Sequence, residues 1–122
     1  MTEMTKTTVK TFRIARSTKK PIPFDVELEQ EDGTIDTKTF HAKPKVAGTA
    51  ILDLVASGSL GPEWQAAAIR KFFTEAVVKE ELEDFFETLD HSDPPIDMLD
   101  MGSITNYLVE QYGERPTQSA TP

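Results

Sequence analysis

Two histidines and many carboxylates are the residues of this chain whose chemistry could support metal binding or acid–base catalysis. His91 is close in sequence to several aspartates: Asp90, Asp93, Asp97 and Asp100. An imidazole beside carboxylates can hold a divalent cation. The segment lacks the regularly spaced ligands of an EF-hand, however, and Asp, Ser and Pro are common in any connection between helices. We therefore expect neither a metal nor a cofactor.

A second set of carboxylates alternates with apolar side chains at helical spacing, as on a helix with one solvated and one buried face. Its members are Glu80, Glu81, Glu83, Asp84 and Glu87. The chain has no cysteine, no phosphate-binding glycine loop and no nucleophile elbow. His41 lies in a threonine-rich segment without a catalytic partner set. We therefore predict that the protein is not an enzyme.

Aromatic and methionine side chains are the better candidates for function. Most can be core residues, but some could line a groove for an apolar partner helix, because methionine and aromatic side chains adapt to varied surfaces. One member of each pair, Phe72-Phe73 and Phe85-Phe86, is a candidate for such a groove. The candidate partner-binding residues are Trp64, Phe72, Phe73, Phe85, Phe86, Met98, Met101 and Tyr107.

Length and charge limit the classes of protein to consider. The 122 residues suffice for one domain, and no apolar run is long enough for a signal peptide core or a membrane span. The net charge of −8 divides into about +5 for residues 1–20 and −13 for residues 21–122. An acidic body repels polyanions, so we expect neither nucleic acid nor membrane as a partner. Only the basic arm carries charge that suits phosphates.

The elements that must position these residues begin with a predicted β-hairpin at 22–42. Phe24, Val26 and Leu28 alternate with acidic residues, as in a half-buried strand. The Asp32-Gly33 pair favours a tight turn, and a second strand follows. Before the hairpin, Lys10, Phe12 and Ile14 also alternate with their neighbours. That pattern is compatible with a short strand, either docked or free.

Helical periodicity follows the hairpin. We predict helices at about 46–57, 62–78, 79–90 and 97–112, with a bend near Val78-Lys79. The near absence of charge in the first helix predicts that it is buried. The fold class is therefore α+β and mostly α, with an N-terminal hairpin packed on a small bundle of about four helices. We expect a flexible basic arm at 1–20, a single folded domain at 21–113 and a disordered tail at 114–122.

Three stretches resemble the tail assembly chaperones of long-tailed phages, especially those of actinobacterial hosts. The stretch from Ile14-Ala15-Arg16 through Pro23-Phe24-Asp25-Val26 resembles the N-terminal strand of that family. The stretch from Lys43-Pro44-Lys45 through Ile51-Leu52-Asp53-Leu54-Val55 is similar to its first helix. The stretch from Met101-Gly102-Ser103-Ile104 to Gly113-Glu114-Arg115-Pro116-Thr117 is similar to its closing helix and tail. Their order and spacing carry the resemblance across most of residues 14–117.

The resemblance implies a protein that binds the tape measure protein, keeps it soluble and promotes assembly of the tail tube around it. The implied partners are the tape measure protein, a longer form of the chain made by programmed frameshifting, the tail tube protein and further copies of the chain. The implied location is the host cytoplasm during infection, with no place in the mature virion. The family has no catalytic residues, and no motif defines its partner contacts.

Two other functions remain open from the sequence. The acidic body could act as an inhibitor that mimics DNA and occupies a nucleic-acid-binding site. The chain could also be a minor structural component of the virion, such as a connector or tail protein.

Overall fold

The computed structural model describes residues 9–113. It confirms the predicted architecture of an N-terminal β-hairpin and four helices. The elements are β1 (Ile22–Glu29), β2 (Ile35–Ala42), α1 (Gly48–Ser57), α2 (Pro62–Ala76), a short 3-10 turn (Lys79–Glu81), α3 (Leu82–His91) and α4 (Met98–Gly113). The expectations for residues 1–8 and for the tail at 114–122 lie outside the described residues.

The hairpin is closed by the predicted tight turn. The Gln30 amide donates to the Thr34 carbonyl at 2.8 Å, and Gly33 has a φ of 87°, a conformation that few residues other than glycine adopt. The Asp32 carboxylate accepts from the Thr34 amide and hydroxyl at 3.0 and 2.6 Å. The Thr34 hydroxyl is the main cause of a lowered pKa at Asp32. The resulting antiparallel register places Phe24 opposite Phe40.

The hydrophobic core lies between one face of the hairpin and the helices α2, α3 and α4. Alternate β1 residues point into it, as the period of two predicts. Phe85 lies at its centre, with ring centroids 4.9 Å from Phe73 and 5.1 Å from Phe40 in edge-to-face geometry. The buried apolar residues of this core are Phe24, Val26, Leu28, Phe40, Ala42, Phe72, Phe73, Ala76, Val77, Phe85, Leu108 and Tyr112.

The bend predicted near Val78-Lys79 begins two residues earlier, at the end of α2. Val77 and Val78 adopt extended ψ angles of 139° and 143°, a conformation that suits β-branched side chains. Val77 forms an isolated bridge with Ala42, in which the Lys43 amide donates to the Ala76 carbonyl at 2.6 Å. The break between α2 and α3 therefore attaches the helices to the end of β2.

The prediction that the first helix is buried is wrong. Only Ala50 and Ser57 of α1 are buried, whereas Leu52 and Val55 are 67% and 70% exposed. The cause is the position of α1, which packs on α2 at the side of the molecule, so a ten-residue helix with apolar side chains all round can cover only one of its faces.

Residues 9–20 form no regular helix or strand, and their side chains are exposed. The one long-range hydrogen bond of residues 9–20 runs from the Lys45 ammonium to the Ala15 carbonyl, at 2.7 Å. In the described part of the chain, none of the helices combines the length and apolar character needed to cross a bilayer.

Candidate partner-binding surface

The fold divides the eight candidate residues into a buried and an accessible group. Phe72, Phe73 and Phe85 are at most 1% exposed, so they belong to the core and not to a surface groove. This corrects the expectation that one member of each aromatic pair faces outward, because both Phe72 and Phe73 point inward. Phe73 packs against Phe85 of α3 and Phe72 against Tyr112 of α4, and neither ring is left at the surface.

Phe86 and Met101 are half-buried. The Arg70 guanidinium lies 4.6 Å from the centre of the Phe86 ring and makes two hydrogen bonds to the Asp90 carboxylate, at 3.2 and 2.8 Å. This cation–π contact and ion pair cover the outer side of the ring. The Asp90 hydrogen bond is also the main cause of a raised pKa at Arg70. Phe86 therefore closes the core next to α2 and is poorly placed to receive a partner.

Trp64, Met98 and Tyr107 are exposed, but they lie in different places. Met98, together with Leu99, forms an apolar patch at the start of α4. The Tyr107 side chain lines a surface cavity beside β1. Trp64 lies in the first turn of α2, where Pro62 provides a first-turn residue that needs no amide partner. The eight candidates therefore do not form one continuous site.

Trp64 instead belongs to an apolar groove between α1 and α2, which we call the α1–α2 groove. Its volume is about 360 Å³, and its lining residues are Asp53, Ala56, Ser57, Leu60, Trp64, Ala67, Ala68 and Lys71. The short side chains of the three alanines make the depression, and Leu60 and Trp64, 58% and 62% exposed, form its apolar rim. Leu52 lies one helical turn before Ala56 and extends the apolar surface along α1.

One ion pair borders this groove. The Lys71 ammonium donates to the Asp53 carboxylate at 2.8 Å and thereby joins α1 to α2. This hydrogen bond is the main cause of a raised pKa at Lys71. The pair neutralises the only charged residues that line the groove, so the interior of the groove suits an apolar side chain of a partner.

The periodicity argument missed Leu60, which lines the α1–α2 groove, and the exposed Leu52 and Val55 of the helix beside it. A signal for them was present in the sequence. The segment 46–60 contains Asp53 as its only charged residue, and a helix that is apolar all round must be enclosed or must expose apolar surface. The same composition that predicted burial can therefore indicate a partner-binding surface.

Several of the residues considered for chemistry make structural contacts. The Glu81 carboxylate accepts from the His41 amide at 2.6 Å and lies 2.8 Å from the His41 Nδ1, which joins the start of α3 to β2. The Asp97 carboxylate accepts from the Asp100 amide at 2.8 Å at the start of α4. That bond is the main cause of a lowered pKa at Asp97. Among residues 9–113, no three His, Cys, Asp or Glu side chains lie close enough to hold a metal ion.

Comparisons of the chain with protein-family models, with curated proteins and with solved structures find no match.

Proposed function

We propose that this protein is a phage tail assembly chaperone that binds the tape measure protein, keeps it soluble and promotes assembly of the tail tube around it. The observation that carries the proposal is the α1–α2 groove, an apolar surface left open on an acidic molecule. The resemblance of the three stretches supplies the identity of the partner. The groove supplies a physical means of binding it.

The groove suits one apolar stripe of a partner helix. A tape measure protein that is long, helical and apolar along one side would aggregate if that side stayed in water. Each rim side chain that a partner covers contributes up to about 1.5–3 kcal/mol from burial, before the costs of association are subtracted. Several chaperone copies along one long helix would therefore each mask a short part of the stripe. The net charge of −8 would keep the covered complex soluble.

The proposal includes the other implied partners and the location. A longer frameshifted form would carry the same groove, because it shares residues 9–113, and the tail tube protein would displace the chaperone as it polymerises. Binding would take place in the host cytoplasm during infection. The finished virion would then lack the chain.

An acidic DNA mimic is the second candidate, because carboxylates are plentiful on α3. Two of them are engaged in ion pairs, however: Asp84 with Lys38 at 2.9 Å and Asp90 with Arg70 at 2.8 Å. Neutralised carboxylates are poor substitutes for phosphates. We therefore rank this function below the chaperone, and no specific contact or surface among residues 9–113 favours a minor virion component.

Co-expression with the tape measure protein of the same phage tests the proposal. We expect a soluble complex from the wild-type chain and at least a tenfold loss of complex from the double variant Leu60→Ser, Trp64→Ser. The matched control is Ile35→Ser, which removes an exposed apolar side chain of β2, 53% exposed, outside the groove. A tape measure protein that stays insoluble, or a complex unaffected by the double variant, would refute the proposal.

A further inference from the structure

The outer edge of β1 is open to a further strand. In the bridge between Ala42 and Val77, the His41 carbonyl and the Lys43 amide point away from β1. Because backbone groups alternate along an antiparallel pair, Ala42 and Phe40 then bond to β1. The same alternation directs the backbone groups of Asp25, Glu27 and Glu29 to the other side of β1. The sheet described here has two strands, so no third strand uses those groups.

Two cavities lie along this edge, and together with the edge they form what we call the β1 groove. The first, of about 430 Å³, is lined by Pro23, Phe24, Asp25 and Tyr107. The second, of about 260 Å³, lies farther along the strand, between Asp25–Leu28, the loop at 94–96 and α4. Side chains two residues apart on an added strand are about 7 Å apart and point to the same face. Two such side chains could therefore enter the two cavities.

The N-terminal arm has the sequence that this groove requires. Phe12 and Ile14 are two residues apart, and they are 76% and 81% exposed. The Lys10 ammonium lies 5.8 Å from the centre of the Phe12 ring, so this arm already places its even-numbered side chains together. Residues 9–16 are as many as the eight residues of β1, so an extended arm would match the strand in length.

Charge also matches. Residues 9–16, which would form the added strand, carry three basic and no acidic side chains. The solvent face of β1 presents the exposed carboxylates of Asp25, Glu27 and Glu29. On an arm strand with Phe12 and Ile14 directed into the groove, Arg13 would lie on the opposite face, next to these carboxylates. Opposite charges on neighbouring strands stabilise their pairing and like charges destabilise it, so this acidic strand favours a basic partner strand over an acidic one.

We propose that the arm of one copy of this protein binds the β1 groove of a second copy as a third strand. The arm of the same chain is less suited, because its Ala15 carbonyl bonds to Lys45 and its residues 14–17 lie beside residues 43–47, which lead away from β2. Reciprocal exchange of arms would give a symmetric dimer. This proposal does not rest on the chaperone function. If the chain exchanged arms but did not bind the tape measure protein, only the chaperone function would be refuted.

The test is the mass of the full chain in solution, measured by light scattering after gel filtration over a range of concentrations. The wild type should self-associate. The arm variant Phe12→Ser, Ile14→Ser should dissociate at least tenfold more readily, whereas the arm control Thr11→Ser, Ala15→Ser should behave as wild type. All altered residues of the arm are exposed, so the urea midpoint of the monomer should not change.

An edge variant completes the design. Asp25→Lys with Glu27→Lys should also give a monomer. Mixing this edge variant with the arm variant should restore one exchanged contact, because the edge variant keeps an intact arm and the arm variant keeps an intact β1 groove. A wild type that stays monomeric, or self-association that neither variant weakens, would overturn the proposal. So would an arm bound to its own β1, seen as a monomer whose Asp25, Glu27 and Glu29 amides are protected from hydrogen exchange only when the arm is intact.

Discussion

Replacement of Phe85 and of its neighbour Phe86 by alanine should have very different effects on the free energy of unfolding. Phe85 is 1% exposed, and its ring lies 4.9–5.9 Å from the rings of Phe24, Phe40, Phe73 and Phe86. Phe85→Ala would leave a cavity enclosed by rigid rings that cannot collapse into it. We expect a loss of about 3–5 kcal/mol, the usual range for a buried phenylalanine.

Phe86→Ala removes a half-buried ring from the edge of the same core. Its burial contributes about 1 kcal/mol, and the Arg70 contact adds about 0.5–1 kcal/mol. The opening left by this substitution is accessible to water, so no closed cavity adds to the loss. We expect a total of about 1.5–2 kcal/mol, well below the value for Phe85.

Urea unfolding followed by circular dichroism measures both values under the same conditions. The slope of the free energy against urea must stay the same in both variants, because a changed slope would indicate a changed unfolded or folded state. Equal losses for the two variants, within about 0.5 kcal/mol, would show that the aromatic cluster is not centred on Phe85. The assignment of Phe85 to the core and of Phe86 to its edge would then be wrong.

Three further predictions test the groove and the contacts around the core. Trp64 is the only tryptophan and lies on the rim of the α1–α2 groove. Binding of a helical peptide with an apolar stripe should therefore shift the tryptophan fluorescence to shorter wavelength. An unchanged spectrum at saturating peptide would exclude the rim as the contact. Burial raises the pKa of Tyr112 to about 12, so the folded state holds the phenolic proton more tightly than the unfolded state does. The resulting contribution to the free energy of unfolding is complete below about pH 10 and is lost as the pH rises to about 12. Tyr112→Phe, which also loses the 2.8 Å hydrogen bond to the Lys43 carbonyl, should show a weaker fall in unfolding free energy between pH 10 and 12 than wild type; parallel curves would contradict the burial argument. Lys71→Gln should leave the urea midpoint almost unchanged, because the pair with Asp53 is exposed; a large drop would show that this pair holds α1 in place.

The elements that the sequence predicts well are those whose pattern depends on local chemistry. The strand alternation of Phe24, Val26 and Leu28 and the Asp32-Gly33 turn place the hairpin at 22–42, where the structure has it. Pro62 marks the start of α2 for a similar reason, since proline suits a first turn. Helix ends depend on tertiary contacts and were predicted less well. The second helix stops at Ala76, two residues early, because Val77 pairs with Ala42, a residue 35 positions earlier in the chain.

The candidate site was harder to predict than the fold, because exposure depends on which elements enclose a helix. Phe72 and Leu52 both belong to apolar helical stripes, yet Phe72 is buried against Tyr112 of α4 while Leu52 faces water. By residue type alone, Phe72 is the better candidate for binding a partner. Its position in the core excludes it, whereas the position of Leu52 leaves that side chain accessible. Only the packing of α1 at the side of α2 distinguishes the two residues, and no local pattern encodes it.

The position of α1 separates the residues that stabilise the core from the residues that expose apolar surface. The hairpin, α2, α3 and α4 supply nearly all buried apolar residues of the core, and α1 supplies none of that set. Stability therefore rests mainly on the other elements, and substitution of the exposed apolar residues Leu52 and Val55 should leave it nearly unchanged. Exposed apolar side chains favour aggregation and do not stabilise a monomer. Leu52 and Val55 lie on the helix that borders the α1–α2 groove, so a partner helix bound there, as proposed above, would have further apolar surface within reach.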